Sequence, residues 1–439
     1  MRIAITFPNH WAIKNILHSG VAARVQEVAQ IVGIADPSRI PHLEKLTSEL
    51  GLQPIEWHAY SAPQETSRLT RIRRLQKYFV YESRRIESER LLQQKGKRTR
   101  FELLASAVLR PVARSPLSRF VGTWLAGQRT RLTPTVEIPQ ADLLFTTNPV
   151  DFREDPLIKA AQQAGTPVVT MIPSWDNLST KGVLFSDFDS VVVWNEVMRD
   201  EVLGFLPKLQ IDQVPVVGIP RFAVYESEVA RPDNRKRILF ANTATTSCPD
   251  QPAVARHLAE ALESGDFGPA ELIIRCHPHD DPSDYAFLRE YPNVKVWPES
   301  ATSYGVQTVP PADDLTNLRD MLQSADVCVN CASTIVLDAA ANDVPIVSVA
   351  YDGDRQLPEA ASVRKFYEFT HQFPYIASGA GDFAYDREAL VLAVQSALRY
   401  PEVRRAQRAE LALLATQGQP DARLADALLS CVGPIRRAA

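Results

Sequence analysis

Short apolar runs, rich in β-branched residues, recur along this chain with longer stretches of helical spacing between them. The first series occupies residues 3–7, 31–35, 143–146, 168–172, 191–194 and 214–217. A second series follows at 238–241, 272–274, 294–296, 327–329 and 346–349. Strands that are apolar on both faces are covered on both faces, and their alternation with helices predicts βαβ units built on parallel sheets. Two series predict two α/β halves.

Gly218, Pro220 and Pro232 interrupt the pattern, and the charged run 231–237 precedes a fresh strand. This places a linker at 220–234. The expected organisation is an N-terminal Rossmann-like domain over 1–220, a second over 221–385, and closing helices over 386–439. Leu390, Val394 and Leu398, then Leu411, Leu414, Leu424 and Leu428, have the spacing of helix faces. Residues 68–132 break the alternation, being long, rich in Arg, Leu and Glu, and without strand-like runs. They are expected to be inserted helices.

Charge changes the picture only in that insertion. The whole chain has a formal net charge of −4, yet 68–132 holds 17 Lys and Arg against four Glu, a balance of +13. So segregated a block suits an anionic surface, with a solvated helical face as the plainer alternative. The expected partner is an anionic membrane surface rather than nucleic acid. The five cysteines are an odd, scattered set, which argues against a disulfide framework, and Cys328 and Cys331 are expected to be buried strand thiols. No run approaches the roughly 20 apolar residues of a membrane span, and His10, Lys14 and His18 interrupt the first 20 residues where a secretory signal needs an apolar core. A cytoplasmic protein, peripheral at most on the inner face of the membrane, is expected.

Three constellations carry chemistry. The segment 325–340 reads as strand, tight turn and helix. Ser333 and Thr334 stand where free backbone N–H groups and hydroxyls favour a phosphate, and Asp338 one turn on would face a ribose hydroxyl. An ordinary helix cap is the alternative. Arg275 and His277 follow a strand, at the sheet edge where ligands sit, and combine a permanent cation with a titratable donor. Trp175, Asp176, Asn177 and Lys181 lie after another strand. Trp175 offers a platform for a sugar or a core plug, Asp176 can take a proton from an acceptor hydroxyl, and Lys181 can hold a phosphate or pair with Asp176. His10 and His18, after the first strand, are secondary base candidates. G-x-G-x-x-G, Walker, G-x-S-x-G and H-E-x-x-H patterns are absent, which argues against dinucleotide enzymes, triphosphatases, hydrolases of that design and zincins.

Together these segments resemble the GT-B glycosyltransferase superfamily, and within it the CDP-glycerol glycerophosphotransferase-like branch that also holds capsule enzymes. Gly218-Ile219-Pro220-Arg221 looks like that family's G-x-P-R segment, Arg275-Cys276-His277-Pro278 like its R-x-H-P motif, and 325–340 like its strand and helix start. The resemblance covers residues 167–352. It implies two facing Rossmann-like domains with a nucleotide donor held in the second by Arg221, Arg275, His277, Ser333, Thr334 and Asp338. Where the family has a W-H-G-T-x-x-K-like loop with His as the base, this chain reads Trp175-Asp176-Asn177-Leu178-Ser179-Thr180-Lys181, so Asp176 takes the base position.

The expected activity is transfer from a nucleotide-activated sugar or polyol donor to a glycan or lipid-linked acceptor in surface polysaccharide assembly. No cofactor and no metal are expected, because the helix start at Ser333 and Thr334 together with Arg275 and His277 would neutralise the leaving group's charge. A nucleotide-sugar 2-epimerase of the same fold and a non-catalytic polyanion- or membrane-binding protein are the rivals.

Overall fold

The computed structural model describes residues 1–86, 88, 108–231, 233–245, 247–277, 280–298 and 309–432. The chain divides into two compact units. Unit 1 comprises Met1–Ala223, Val309–Ala312 and Gln417–Ala439; unit 2 comprises Val224–Thr308 and Asp313–Thr416.

The strands of unit 1 are β1 (Arg2–Thr6), β2 (Gln30–Ala35), β3 (Glu56–Ala59), β4 (Leu143–Thr146), β5 (Val168–Met171) and β6 (Ser190–Val192). They form one parallel sheet in the order β3-β2-β1-β4-β5-β6, with Ile3 opposite Ile31 on one side and Leu143 on the other. The helices used below are α1 (His10–Ile13), α2 (Val21–Gln26), α3 (Ile40–Glu49), α4 (Ser67–Arg84), α5 (Leu117–Leu132), α6 (Asp155–Ala164) and α7 (Glu196–Phe205). The central strands are wholly buried, as their unbroken apolar sequence requires.

Unit 2 repeats the plan. Strands β7 (Lys236–Ala241), β8 (Ala270–Arg275), β9 (Val294–Trp297), β10 (Val327–Asn330), β11 (Ile346–Val349) and β12 (Gly381–Ala384) form a parallel sheet in the order β12-β11-β10-β7-β8-β9. Its helices include α8 (Gln251–Glu263), α9 (Asp314–Ser324), α10 (Ile335–Ala341), α11 (Arg387–Arg399) and α12 (Arg405–Ala412). Counted within each unit, both sheets have the doubly wound order 3-2-1-4-5-6. The expectation of an α/β chain with two Rossmann-like domains holds.

The units part between Ala223 and Val224, inside the stretch 220–234 that the linker pattern marks. Unit 1 runs on to Ala223, so Arg221 lies in it rather than in the second domain. The terminal helices do not form one cap. α11 and α12 belong to unit 2, whereas α13 (Pro420–Ser430) packs its buried Leu424, Ala425 and Leu428 into the core of unit 1, and Asp421 accepts a 2.6 Å hydrogen bond from Arg24 of α2. The expected strand at 214–217 is reduced to a single bridge from Val193 to Val216. No helix among the described residues is long and apolar enough to cross a membrane.

Helices α4 and α5 are the expected insertion, of which residues 87 and 89–107 lie outside the described part. Phe79, Ala113 and Leu125 form their small shared core. Arg129 of α5, 1% exposed, makes a two-pronged ion pair with the equally buried Asp155 at the start of α6, at 2.8 and 3.0 Å, and also reaches Gln76 and the Val183 carbonyl. Removing either member of such a pair strands a buried charge, so the contact fixes the helix pair to the sheet.

Candidate functional site

In a sheet of this order, ligands sit beyond the carboxyl ends of the strands where the winding reverses, here between β1 and β4 and between β7 and β10. Unit 1 has built a buried polar scaffold at that point and unit 2 one beside it, between the loops after β7 and β8; neither was visible in the sequence.

In unit 2 the scaffold centres on Asp280, after β8. Its carboxylate accepts hydrogen bonds from Thr245 Oγ1 at 2.6 Å, Gln251 Nε2 at 3.1 Å, Asn242 Nδ2 at 3.4 Å and the backbone N–H of His277 at 3.2 Å. Burial pushes the carboxyl up, and these donors oppose the shift. Gln251, fully buried at the start of α8, also clasps both backbone groups of Thr243. The loops after β7 and β8 are therefore tied to one side chain. Asn242 Oδ1 is buried there without a donor.

The turn after β10 is held separately. Asn330, fully buried, accepts from the Ser333 N–H and donates toward Val347 O and Ser348 Oγ. Ala332 has φ +46°, in the left-handed region that non-glycine residues rarely occupy. The hydroxyl of Tyr367 keeps it there, accepting from the Ala332 N–H at 2.9 Å and donating to Val349 O at 2.8 Å. Strain maintained by such a network is typical of positions that face ligands. Ser333 and Thr334 follow, both partly exposed, with Ser333 Oγ accepting from the Ile335 N–H at 3.4 Å.

The structure redistributes the other donor-site residues. His277 lies at the end of β8, partly exposed, with its backbone rather than its ring engaged by Asp280. Pro278 and His279 of the same motif lie outside the described residues. Arg275 is not an open cation. Its guanidinium meets Asp314 at 3.2 Å, approaches Met321 and stacks on the Trp297 ring 4.2 Å from its centre. Asp338, expected beside a ribose, is 1% exposed and accepts a 2.6 Å hydrogen bond from the Tyr225 hydroxyl. Val336 to Ala340 are all buried, so α10 has no open face at this position. Arg221, 4% exposed, lies over the rings of Trp11 and Phe222 in unit 1.

In unit 1 the corresponding scaffold centres on Glu154, 2% exposed at the start of α6. It takes the Thr6 hydroxyl from the end of β1 and the backbone N–H groups of Thr147 and Asn148 from the end of β4, at 3.3 and 3.0 Å for the latter two. Burial is the main cause raising its carboxyl to about 8, with Asp151 adding and the hydrogen bonds opposing. Arg39, at the carboxyl end of β2 and 5% exposed, donates to Phe7 O at 2.7 Å while Nε and Nη2 are buried without an acceptor.

The Asp176 loop follows β5. Asp176 keeps a side-chain exposure of 19%, with Lys181 Nζ 3.3 Å away and Thr180 Oγ1 at 3.3 Å. Residues Asn177–Lys181 form one π-helical turn, and α4 holds it from behind: Lys77 donates to Thr180 O and Tyr81 to Gly182 O. Trp175 is 4% exposed, so of its two expected roles it fills the core plug. Asn177 is also buried. Glu201 of α7, largely buried, is raised to about 7, first by burial and then by the charge of Asp176, with Arg84 opposing. A buried carboxyl that holds its proton near neutrality beside a second, partly exposed carboxyl suits proton transfer. Glu201 escaped the sequence reading because its neighbour is remote in the chain. His10 opens α1, 8% exposed beside Trp11, and His18 ends the π-helical Lys14–His18.

No family model matches this sequence, and no curated protein matches it. Solved structures do. The UDP-GlcNAc 2-epimerase of Neisseria meningitidis, solved bound to UDP-GlcNAc, aligns over 98% of this chain and all of its own, with 12% identity and a TM-score of 0.57. The UDP-GlcNAc 2-epimerase of Methanocaldococcus jannaschii aligns over 98% and 100%, with 11% identity and a TM-score of 0.53. The kitacinnamycin glycosyltransferase aligns over 98% of both chains, with 14% identity and a TM-score of 0.53. These likenesses establish a GT-B-like fold.

Proposed function

We propose that this protein is a GT-B-type glycosyl or sugar-phosphate transferase that uses a nucleotide-activated donor. One observation carries the reading: along nearly the whole chain its likeness is to enzymes of nucleotide sugars. The buried polar scaffolds of the two units support it, since each fixes loops at the carboxyl edge of its sheet, where such ligands sit.

In this reading unit 2 takes the donor. The His277 ring and the hydroxyls of Ser333 and Thr334 receive the phosphate, while Arg275, held by Asp314, contributes its positive field from behind. Unit 1 takes the acceptor, a glycan or a lipid-linked saccharide of surface polysaccharide assembly. Asp176 accepts the proton of the acceptor hydroxyl as its oxygen bonds to the donor carbon, and the bond to the leaving phosphate breaks with its electron pair on that phosphate. Lys181, 3.3 Å from Asp176, sets a positive charge beside it. These residues supply the charge stabilisation themselves, so no cofactor is invoked.

The epimerase neighbours, as similar as the transferase, favour one second reading, a nucleotide-sugar 2-epimerase. Incubation with UDP-GlcNAc and related donors, with and without a mixture of glycan and lipid-linked acceptors, separates the two. A transferase releases free nucleotide only when acceptor is present. An epimerised sugar formed without acceptor selects the second reading, and no turnover of any donor removes both.

A further inference from the structure

Helix α5 turns two different faces to its surroundings. Leu125 and Arg129 point inward, 2% and 1% exposed. On the opposite side Leu117, Phe120 and Trp124 are 58%, 75% and 59% exposed, at the i, i+3, i+7 spacing that lines one helical face. Val108, in the helical turn before it, is 70% exposed. An exposed Phe and Trp on one stripe are unusual, because a folded chain gains by burying such rings.

The same helix pair carries exposed positive charge. Arg119 and Arg131 are exposed on α5, and Arg68, Arg71 and Arg74 are exposed on α4. Among the described residues none of these five is in an ion pair, whereas Arg110 and Arg114 both pair with Glu82. Exposed apolar rings and uncompensated arginines on one helix pair match a lipid–water boundary carrying negative headgroups. The rings enter the acyl edge, and the guanidinium groups remain at the phosphates.

The same two helices are rigidly tied to the chemistry of unit 1. Arg129 anchors α5 to Asp155, and Lys77 and Tyr81 of α4 hold the backbone of the Asp176 loop.

We propose that the outer face of α4 and α5 docks this protein on an anionic bilayer surface, with Leu117, Phe120 and Trp124 as the inserted stripe. Docking then brings the Asp176 loop to acceptors at that surface, a consequence that rests on the proposed transferase function; the docking itself does not.

The test uses the full chain and two kinds of vesicle, phosphatidylcholine alone and phosphatidylcholine mixed with phosphatidylglycerol, in co-sedimentation across a salt series. Binding is expected to the mixed vesicles and to weaken with salt. The double variant Phe120→Ser, Trp124→Ser should lose about tenfold or more in partitioning while its melting temperature is unchanged, since both rings are exposed. Arg68→Gln, Arg71→Gln, Arg74→Gln together should abolish the preference for the charged vesicles. Equal partitioning of native chain and double variant overturns the proposal. So does tighter binding to RNA or DNA than to vesicles, or a dimer that the double variant dissolves in a chain showing no vesicle binding. Nucleotide turnover can fail while docking succeeds, which keeps the two readings distinguishable.

Discussion

The guanidinium of Arg275 lies 3.2 Å from the carboxylate of Asp314, and both side chains are nearly buried. In the sequence Arg275 stands beside His277 as a second phosphate ligand; in the fold it is also the bridge from β8 to the start of α9. Arg275→Ala should therefore act on stability first. Breaking a buried pair by removing one partner costs about 3–5 kcal/mol, because the other charge is left uncompensated. Denaturant unfolding checks this. A loss under about 1 kcal/mol would show that the pair is solvated and Arg275 is available to ligand.

His277 should behave in the opposite way. Its backbone N–H donates to the Asp280 scaffold, a contact that alanine at 277 can also make, so His277→Ala keeps it. If the ring receives donor phosphate, nucleotide affinity should fall by about 1.5–3 kcal/mol, the range for hydrogen bonds to a charged group, with an unchanged melting temperature. Calorimetry with the free nucleotide measures it. Ser333→Ala should add a smaller loss, and unaltered affinity in both variants would move the donor site elsewhere.

These two residues show what the sequence could convey. The central strands were legible because burial on both faces demands an unbroken apolar run. The edge strands β3 and β12 were not: Glu-Trp-His-Ala and Gly-Asp-Phe-Ala are half-exposed and lack that run. Motif positions after strands led correctly to the carboxyl edge of each sheet. What pattern could not say is which polar groups there are already engaged. Asp338 is spent on Tyr225, 113 residues away, and Arg275 on Asp314, 39 residues away. Glu154 and Asp280, the two organising carboxyls, carry no signal in the pattern, because their burial is created by the fold around them.

Glu154 makes a pH-dependent prediction. Its folded carboxyl is raised from the ordinary value of 4.5 to about 8, so the folded chain holds this proton more tightly than the unfolded chain. The stability it contributes is complete below about 4.5 and is lost as pH rises toward 8. Glu154→Gln removes the titration at the cost of a hydrogen bond to Asn148. The variant should be less stable than the native chain near pH 5, with the gap closing toward pH 8. Melting temperatures across that range decide it, and a gap that widens with pH would mean that the backbone N–H donors, not burial, set the charge of Glu154.

The Asp176 and Glu201 pair supports the most direct test of mechanism. Asp176→Asn keeps the side chain's shape and a contact to Thr180 but removes the basic oxygen, so turnover should fall by roughly 100-fold or more while donor binding persists. The same change removes a negative charge that helps hold Glu201 at about 7, although burial, the larger cause, remains. The Glu201 titration should therefore move down toward 4.5 without reaching it, a shift that carbon NMR of glutamate-labelled protein can follow. In the native chain, ionisation of Glu201 above about pH 7 places a second negative charge beside Asp176, so the pH–rate profile should show an inflection near 7 that Glu201→Gln erases. A merely structural Asp176 would move the Glu201 titration and leave turnover near native. In that outcome the base lies elsewhere in unit 1, and His10 and His18 are the residues to substitute next.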